Sequence, residues 1–200
     1  MKLSKIISVI VHPILIPIIT FYTSLKLVPN IGFAITSYIN LIWIILVLST
    51  IILPVLSLLY LKYIGKIESF EMTEHKERPL PLLITGIWML IGLRQLDNIL
   101  YFAPILKIEL ICAIIIIFLA SIISRFWKIS LHMLGVGGLV GVVFSLHTLY
   151  GGFSEILIIF ILISGVVGVA RIKQKAHDHN QIYVGFVIGL IVESAGILIF

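Results

Sequence analysis

AIIIIFLASII, residues 113–123, carries no charge and no alternation of apolar with polar positions. A strand of a membrane barrel alternates over about 10 residues, because one face meets lipid and the other the lumen. A segment apolar on every side reads instead as a helix, which in lipid satisfies its own backbone groups. Followed outward, this run extends over about 105–124, close to the ~20 residues that a helix needs to cross a hydrocarbon core. Six more runs resemble it, at roughly 6–25, 40–61, 80–96, 132–150, 155–170 and 182–200. The expected fold is all-α: a polytopic membrane helix bundle of six or seven transmembrane helices, seven on this count, as one integral membrane domain over 1–200.

Bulk composition agrees. The 200 residues are 60% hydrophobic and 12% charged, about half the charged share of a soluble domain, with a mean hydropathy of +1.23. Lipid is the solvent for such a chain, and no polar block is left to fold separately in water. The single cysteine, Cys112, sits in an apolar run, so the chain forms no internal disulfide. Lys2 and Lys5 ahead of an apolar stretch imitate a signal peptide. No small-residue cleavage site follows, and the stretch reads as a retained first span.

Seven spans sort the connecting segments onto two sides. The N-terminus and loops 62–79, 125–131 and 171–181 share one side. With their flanks they hold 11 cations: Lys2, Lys5, Lys62, Lys66, Lys76, Arg78, Arg125, Lys128, Arg171, Lys173 and Lys175. The other side holds 3, Lys26, Arg94 and Lys107. The positive-inside rule puts the richer side in the cytoplasm. The net charge of +5 thus serves a membrane face, and membrane lipids rather than nucleic acid are the expected partners. Parity also brings the three polar loops together on one face.

Each loop offers groups suited to an anion. In KYIGKIESFEMTEHKERP, residues 62–79, glutamates 68, 71, 74 and 77 recur every third residue, which predicts a helical turn or two with a solvated acidic face. Arg78 precedes Pro79, which is expected to hold it extended and so aim its fork of donors. In RFWKISLHMLGVGGLVG, residues 125–141, Ser130 and His132 enter a glycine-rich helix, whose N-terminus favours an anion. In ARIKQKAHDHNQIYVGF, residues 170–186, Asp178 or Asn180 reads as a helix N-cap. His177 stands four residues before Gln181. That spacing lets the glutamine oxygen accept the Nδ1–H and aim Nε2 outward as a nucleophile. Further polar residues read differently. His12 before Pro13 predicts a kink with a satisfied histidine, and Arg94 with Asp97 an interfacial ion pair. Glu193, deep in the last span, ranks low as a site residue. No metal-ligand spacing, Walker loop or dinucleotide fingerprint occurs.

Arg78-Pro79, then ISLH (residues 129–132), then ARIKQKAH with Gln181 and Gly185, resemble in order the three motifs of the type-2 phosphatidic acid phosphatase superfamily. That pattern is K-x6-R-P, P-S-G-H and S-R-x5-H-x3-D. The resemblance covers about 66–190 and is closest to a divergent bacterial branch. Glu71 stands in place of the first lysine, Ile129 and Leu131 in place of the proline and glycine, Ala170 in place of the serine, and Gln181 in place of the aspartate. The resemblance implies that His177 attacks phosphorus to form a phosphohistidine, and that His132 protonates the leaving alcohol and later activates water. It implies that Arg78, Arg171 and Ser130 hold the phosphate oxygens, that Lys76 or Lys128 replaces the missing lysine charge, and that neither metal nor other cofactor is needed. Gln181 then orients His177 without stabilising its charge.

The expected activity is that of a lipid-phosphate phosphatase or phosphotransferase in the bacterial inner membrane. Its substrate would be a lipid phosphate such as phosphatidate, phosphatidylglycerophosphate or a polyprenyl diphosphate, its tail entering between glycine-rich spans. Two other readings stand beside it: a catalytically degenerate lipid-phosphate-binding or scaffold protein, and a transporter using Glu193. The resemblance implies a periplasmic site, as in most bacterial members of that family, whereas the charge count points to the cytoplasmic face. A reporter active only outside the cytoplasm, fused at the C-terminus, should be active; a silent periplasmic reporter with an active cytoplasmic one would overturn this orientation.

Overall fold

The computed structural model describes residues 2–199, without the side chains of Lys2 and Leu3. Phe200, counted at the end of the seventh span, and the Lys2 charge of the cation count therefore lie outside the described residues. The described chain is 82% helix and holds no strand. Seven helices are long and apolar enough to cross a membrane: Ser4–Leu27, Thr36–Tyr63, His75–Leu100, Pro104–Ile123, Leu131–Tyr150, Ser154–Lys173 and His179–Ile199. The protein is a multi-pass helical membrane protein. Spans three and six run past the 80–96 and 155–170 of the sequence reading, because their helices continue through polar ends at Arg94–Asp97 and Arg171–Lys173.

Two spans are broken, each by proline. The first comprises α1 (Lys2–Ile10), a 3-10 turn (Pro13–Leu15) and α2 (Ile16–Leu27). His12 before Pro13 is extended (φ −70°, ψ 136°) and its Nδ1 accepts the Ile14 N–H at 3.3 Å, the satisfied kink that the His-Pro pair predicts. A short helix, α3 (Pro29–Phe33), leads onward. The second span comprises α4 (Ile39–Val47), a π-turn (Leu48–Ile52) and α5 (Leu53–Tyr63). Pro54 has no N–H to give, and its ring crowds the carbonyl four residues back, so the helix widens there. Five unbroken helices follow: α6 (Pro79–Leu100), α7 (Pro104–Ile123), α8 (Leu131–Tyr150), α9 (Ser154–Lys173) and α10 (His179–Ile199).

At the centre lies α8, 67% buried over its span against 50% or less for every other. It packs against α2, α7, α9 and most extensively α10. Glycines make that last pairing close. A Cβ on Gly137 would strike the Phe186 carbonyl oxygen, and one on Gly189 the Leu134 carbonyl oxygen. Gly141 and Gly185 face Leu190 O at 2.7 Å and Ser130 O at 2.9 Å in the same sense. Helices in lipid gain nothing from expelling water and associate through such close packing. A second apolar cluster, with Phe21, Ile42, Leu46, Leu96, Leu100 and Leu106 buried, ties α2, α4, α6 and α7 together.

The acidic loop differs from its expectation. Its only helical turn is the 3-10 turn His75–Glu77. The glutamates are not a helical face, because the loop folds back on itself: Glu77 Oε1 accepts the Glu68 N–H at 2.9 Å, and Met72 turns at φ 43°. The ion pair also differs. Asp97 pairs with Lys107 at 2.6 Å, across the turn between α6 and α7, and not with Arg94, which is exposed on α6.

Gly137→Ala and Gly189→Ala should each lower stability by about 1–3 kcal/mol, since a backbone carbonyl has no rotamer to escape through. Gly165→Ala, with nothing within 4 Å of its Cβ position, should leave the melting temperature of detergent-solubilised protein unchanged.

Candidate functional site

The three polar loops are joined by hydrogen bonds on one membrane face. Ser124 O lies 2.9 Å from His75 Nδ1, Ile129 O accepts from Arg78 Nη1 at 3.1 Å, and the Ser130 N–H donates to Gln181 O at 3.3 Å. A fourth contributor is α1. Gln174 Nε2 donates to Ser4 O at 2.6 Å and to Ser8 Oγ at 2.8 Å, and Arg171 Nη1 donates to Ser8 Oγ at 3.2 Å. His132 Nε2–H donates to Ser8 O at 3.0 Å, which leaves Nδ1 for proton exchange.

His177 stands in the elbow between α9 and α10. After α9, the Ala176 N–H reaches back to Arg171 O and the Lys175 N–H to Ile172 O, with Lys175 at φ 53°. That is the Schellman arrangement that reverses a chain leaving a helix, here with lysine where glycine is usual. Asp178 Oδ1 then caps α10 by accepting the Gln181 N–H at 2.8 Å, as the sequence predicts of either Asp178 or Asn180. The Gln181 side chain turns back and its Oε1 takes the His177 Nδ1–H at 2.8 Å. An amide oxygen only accepts, so the proton sits on Nδ1 and the Nε2 lone pair is free. Burial pushes the His177 pKa down to about 4; Arg78, Arg171 and Lys128 add to this and the Gln181 bond opposes it. Cations from all three loops thus act on this one ring.

Arg78 is buried, with Nε donating to Met72 O at 2.9 Å and Nη1 to Ile129 O. Its backbone is helical (φ −78°, ψ −33°), not extended. The 3-10 turn runs directly into α6 and the Arg78 N–H bonds His75 O at 3.2 Å, which overrides the preference imposed by Pro79. Two carbonyls, rather than a fixed backbone, aim the guanidinium. Arg171 is half-buried, and its Nε is enclosed without a hydrogen-bond partner. Among the described residues neither arginine pairs with a carboxylate within ion-pair distance. Ser130 is the N-cap residue of α8, yet its Oγ caps nothing and is buried without a partner. The structure therefore gathers two guanidiniums, an uncapped helix N-terminus and two orphaned polar atoms, an arrangement that an oxyanion completes.

Of the two lysines considered, Lys128 is half-buried and its field reaches His177; burial first, then the Arg78 charge, lowers its ammonium below the usual value. Lys76 is exposed on the 3-10 turn. The contribution of Ser4 and Ser8 was missed in the sequence, although they stand one turn apart on the apolar α1 and His12 follows at the same spacing beyond its end. The His12 and His132 rings meet edge to face at 5.7 Å. Two carboxyls lie elsewhere. Glu109 on α7, overlooked in the sequence, accepts a hydrogen bond from Ser24, and Glu193 sits against Gly138 and Gly141. Glu193 is 12 residues past Gln181, about 18 Å down the helix. Among the described residues no three histidine, cysteine or acidic side chains converge as a metal site needs.

No protein-family model, curated protein or solved structure matches the chain.

A depressed histidine pKa makes stability depend on pH. Between about 4 and the ordinary value near 6.5, the unfolded chain binds the proton and the folded one does not. Stability from this group is full above that window and is lost as pH falls through it, by on the order of 3 kcal/mol. The melting temperature of the wild type should fall more steeply from pH 7 to pH 4 than that of His177→Asn.

Proposed function

We propose that the chain is a lipid-phosphate phosphatase or phosphotransferase of the bacterial inner membrane, a divergent member of the type-2 phosphatidic acid phosphatase superfamily. The observation that carries this reading is the neutral His177 imidazole, its Nδ1–H on Gln181 Oε1 at 2.8 Å, within the field of Arg78, Arg171 and Lys128. A phosphate monoester bound by the two guanidiniums and the α8 N-terminus has its phosphorus open to Nε2. The Nε2 lone pair forms the P–N bond as the P–O bond to the lipid breaks. Neutral His132, its Nε2–H held by Ser8 O at 3.0 Å, takes the proton of a monoanionic phosphate ester on Nδ1 and passes it to the leaving alkoxide. Neutral His132 then accepts a proton from water, whose oxygen attacks phosphorus and displaces His177. The cations stabilise the charge that spreads over the equatorial oxygens, the dominant contribution in such transfers. The uneven cation count favours a site on the cytoplasmic face.

A second reading has its own support. Gln181 is neutral, and an acid in that position would stabilise the imidazolium as it forms; in a serine protease triad the loss of that carboxylate costs about 10⁴ in rate. A protein that binds lipid phosphates without turning them over fits the same geometry.

Phosphate release from a panel of lipid phosphates in liposomes, without added metal, separates the two. The phosphatase reading expects release that His177→Ala abolishes. Binding of phosphatidate without release from any substrate would establish the degenerate member instead. Gln181→Glu keeps the reach of the 2.8 Å bond, whereas Gln181→Asp is one methylene shorter. The glutamate variant should raise kcat at least ~10-fold if charge stabilisation limits the rate; an unchanged kcat would remove Gln181 from that role. Because kcat/KM reports the free enzyme, its acidic limb should lie near pH 4, the value for His177, well below the usual histidine range.

A further inference from the structure

Two adjoining hollows run between α1 and α9, of about 470 and 420 Å³. They share Ile7, Leu162 and Val166, and so form one continuous groove. Its upper end is polar, rimmed by Ser4 and Lys173; its lower end, reaching Val11 and Ile159, is wholly apolar. From Lys173 to Ile159 the groove follows α9 for roughly 21 Å at 1.5 Å per residue. One leaflet of a bilayer whose hydrocarbon core is about 30 Å thick is shorter than that. On α1 the lining runs only from Ser4 to Val11, roughly 10 Å at the same rise, so the stretch walled by both helices fits within one leaflet.

We propose that this groove holds the hydrocarbon chain of the lipid phosphate whose headgroup occupies the three-loop site. The proposal rests on the phosphate reading given above. Two observations carry it. The first is continuity: the Ser4 rim is hydrogen-bonded to Gln174, which is bonded in turn to Arg171 and Ser8. A chain lying in the groove thus has its polar end at Lys173, two residues from Arg171 in the last turn of α9. The second is shape. Gly168 of α9 faces inward, where a Cβ would touch Ile182 at 3.4 Å, but Gly165 lines the groove and a Cβ there would meet nothing within 4 Å. One glycine serves packing and the other leaves room. The tail consequently enters beside the first span, not between the glycine-rich spans α8 and α10, whose seam is closed by backbone contact. Moving a chain from bilayer to groove brings no hydrophobic gain. The groove fixes where the tail lies, and the phosphate supplies the affinity.

The test uses the full-length protein in phosphatidylcholine liposomes with a trace of phosphatidate bearing a mid-chain diazirine. Photolysis followed by peptide mapping should place the adduct on Leu162, Val166 or Ile7. Unlabelled phosphatidate should compete it away and diacylglycerol should not. Gly165→Trp fills the groove and should remove most of the adduct, while Gly165→Ala should keep it. Adducts on other helices, or equal labelling by a diazirine diacylglycerol, would overturn the proposal, the latter because bulk lipid would then fill the groove. The map on the wild type decides the matter even if Gly165→Trp does not fold. Phosphate release from the same liposomes is read in parallel. Its absence alongside groove adducts sinks catalysis and leaves the groove standing; release with adducts elsewhere does the reverse.

Discussion

Backbone-to-backbone contact between α8 and α10 is the constraint on which the rest of the structure depends. The carbonyls of Leu134 and Phe186 lie where the Cβ atoms of Gly189 and Gly137 would be. With so little space between the axes, the starts of both helices must lie side by side. Ser130, at the start of α8, therefore meets Gln181 of the first turn of α10 through its N–H. Everything chemical follows from this. The α8 N-terminus is set against the His177 elbow, and Arg78 reaches the same place through Ile129 O.

The cations illustrate how a membrane protein manages charge. Two guanidiniums close together should repel, and burial deprives them of water. Among the described residues neither forms an ion pair with a carboxylate; each is held by neutral acceptors instead, carbonyl oxygens for Arg78 and the Ser8 hydroxyl with the Gln174 amide for Arg171. Neutral acceptors position a cation without cancelling its field. The field stays available to a ligand, and it also bears on His177. An unprotonated imidazole beside two arginines and a lysine is the state that this environment favours.

Much of this was legible in the amino-acid sequence, for local reasons. Hydropathy located all seven spans, since lipid demands long apolar helices whatever their packing. The His177–Gln181 bond followed from helical spacing, and the Asp178 cap from its position before a helix. What was not legible depended on tertiary context. Arg78 is helical because a 3-10 turn happens to run into α6, which no pair preference foretells. The glutamate spacing in the acidic loop suggested a helix, but Met72 and Glu77 are used to fold that loop back. Asp97 finds Lys107 rather than Arg94 because the α6–α7 turn brings α7 to it. The role of Ser8 was hidden for the plainest reason: its partners are 124 to 166 residues away.

That last distance bears on how the protein is made. The Ser8–Arg171 and Ser4–Gln174 hydrogen bonds close loops of 163 and 170 residues. A ribosome working at about 5–20 residues per second takes roughly ten to thirty seconds to cover such a stretch. Through that interval α1 is already in the membrane while α9, with which it packs, has not yet emerged. The polar stripe of α1 must therefore be tolerated by lipid or by the insertion machinery until the sixth span arrives. Biosynthesis thus completes this polar face only when the last turn of α9 reaches α1.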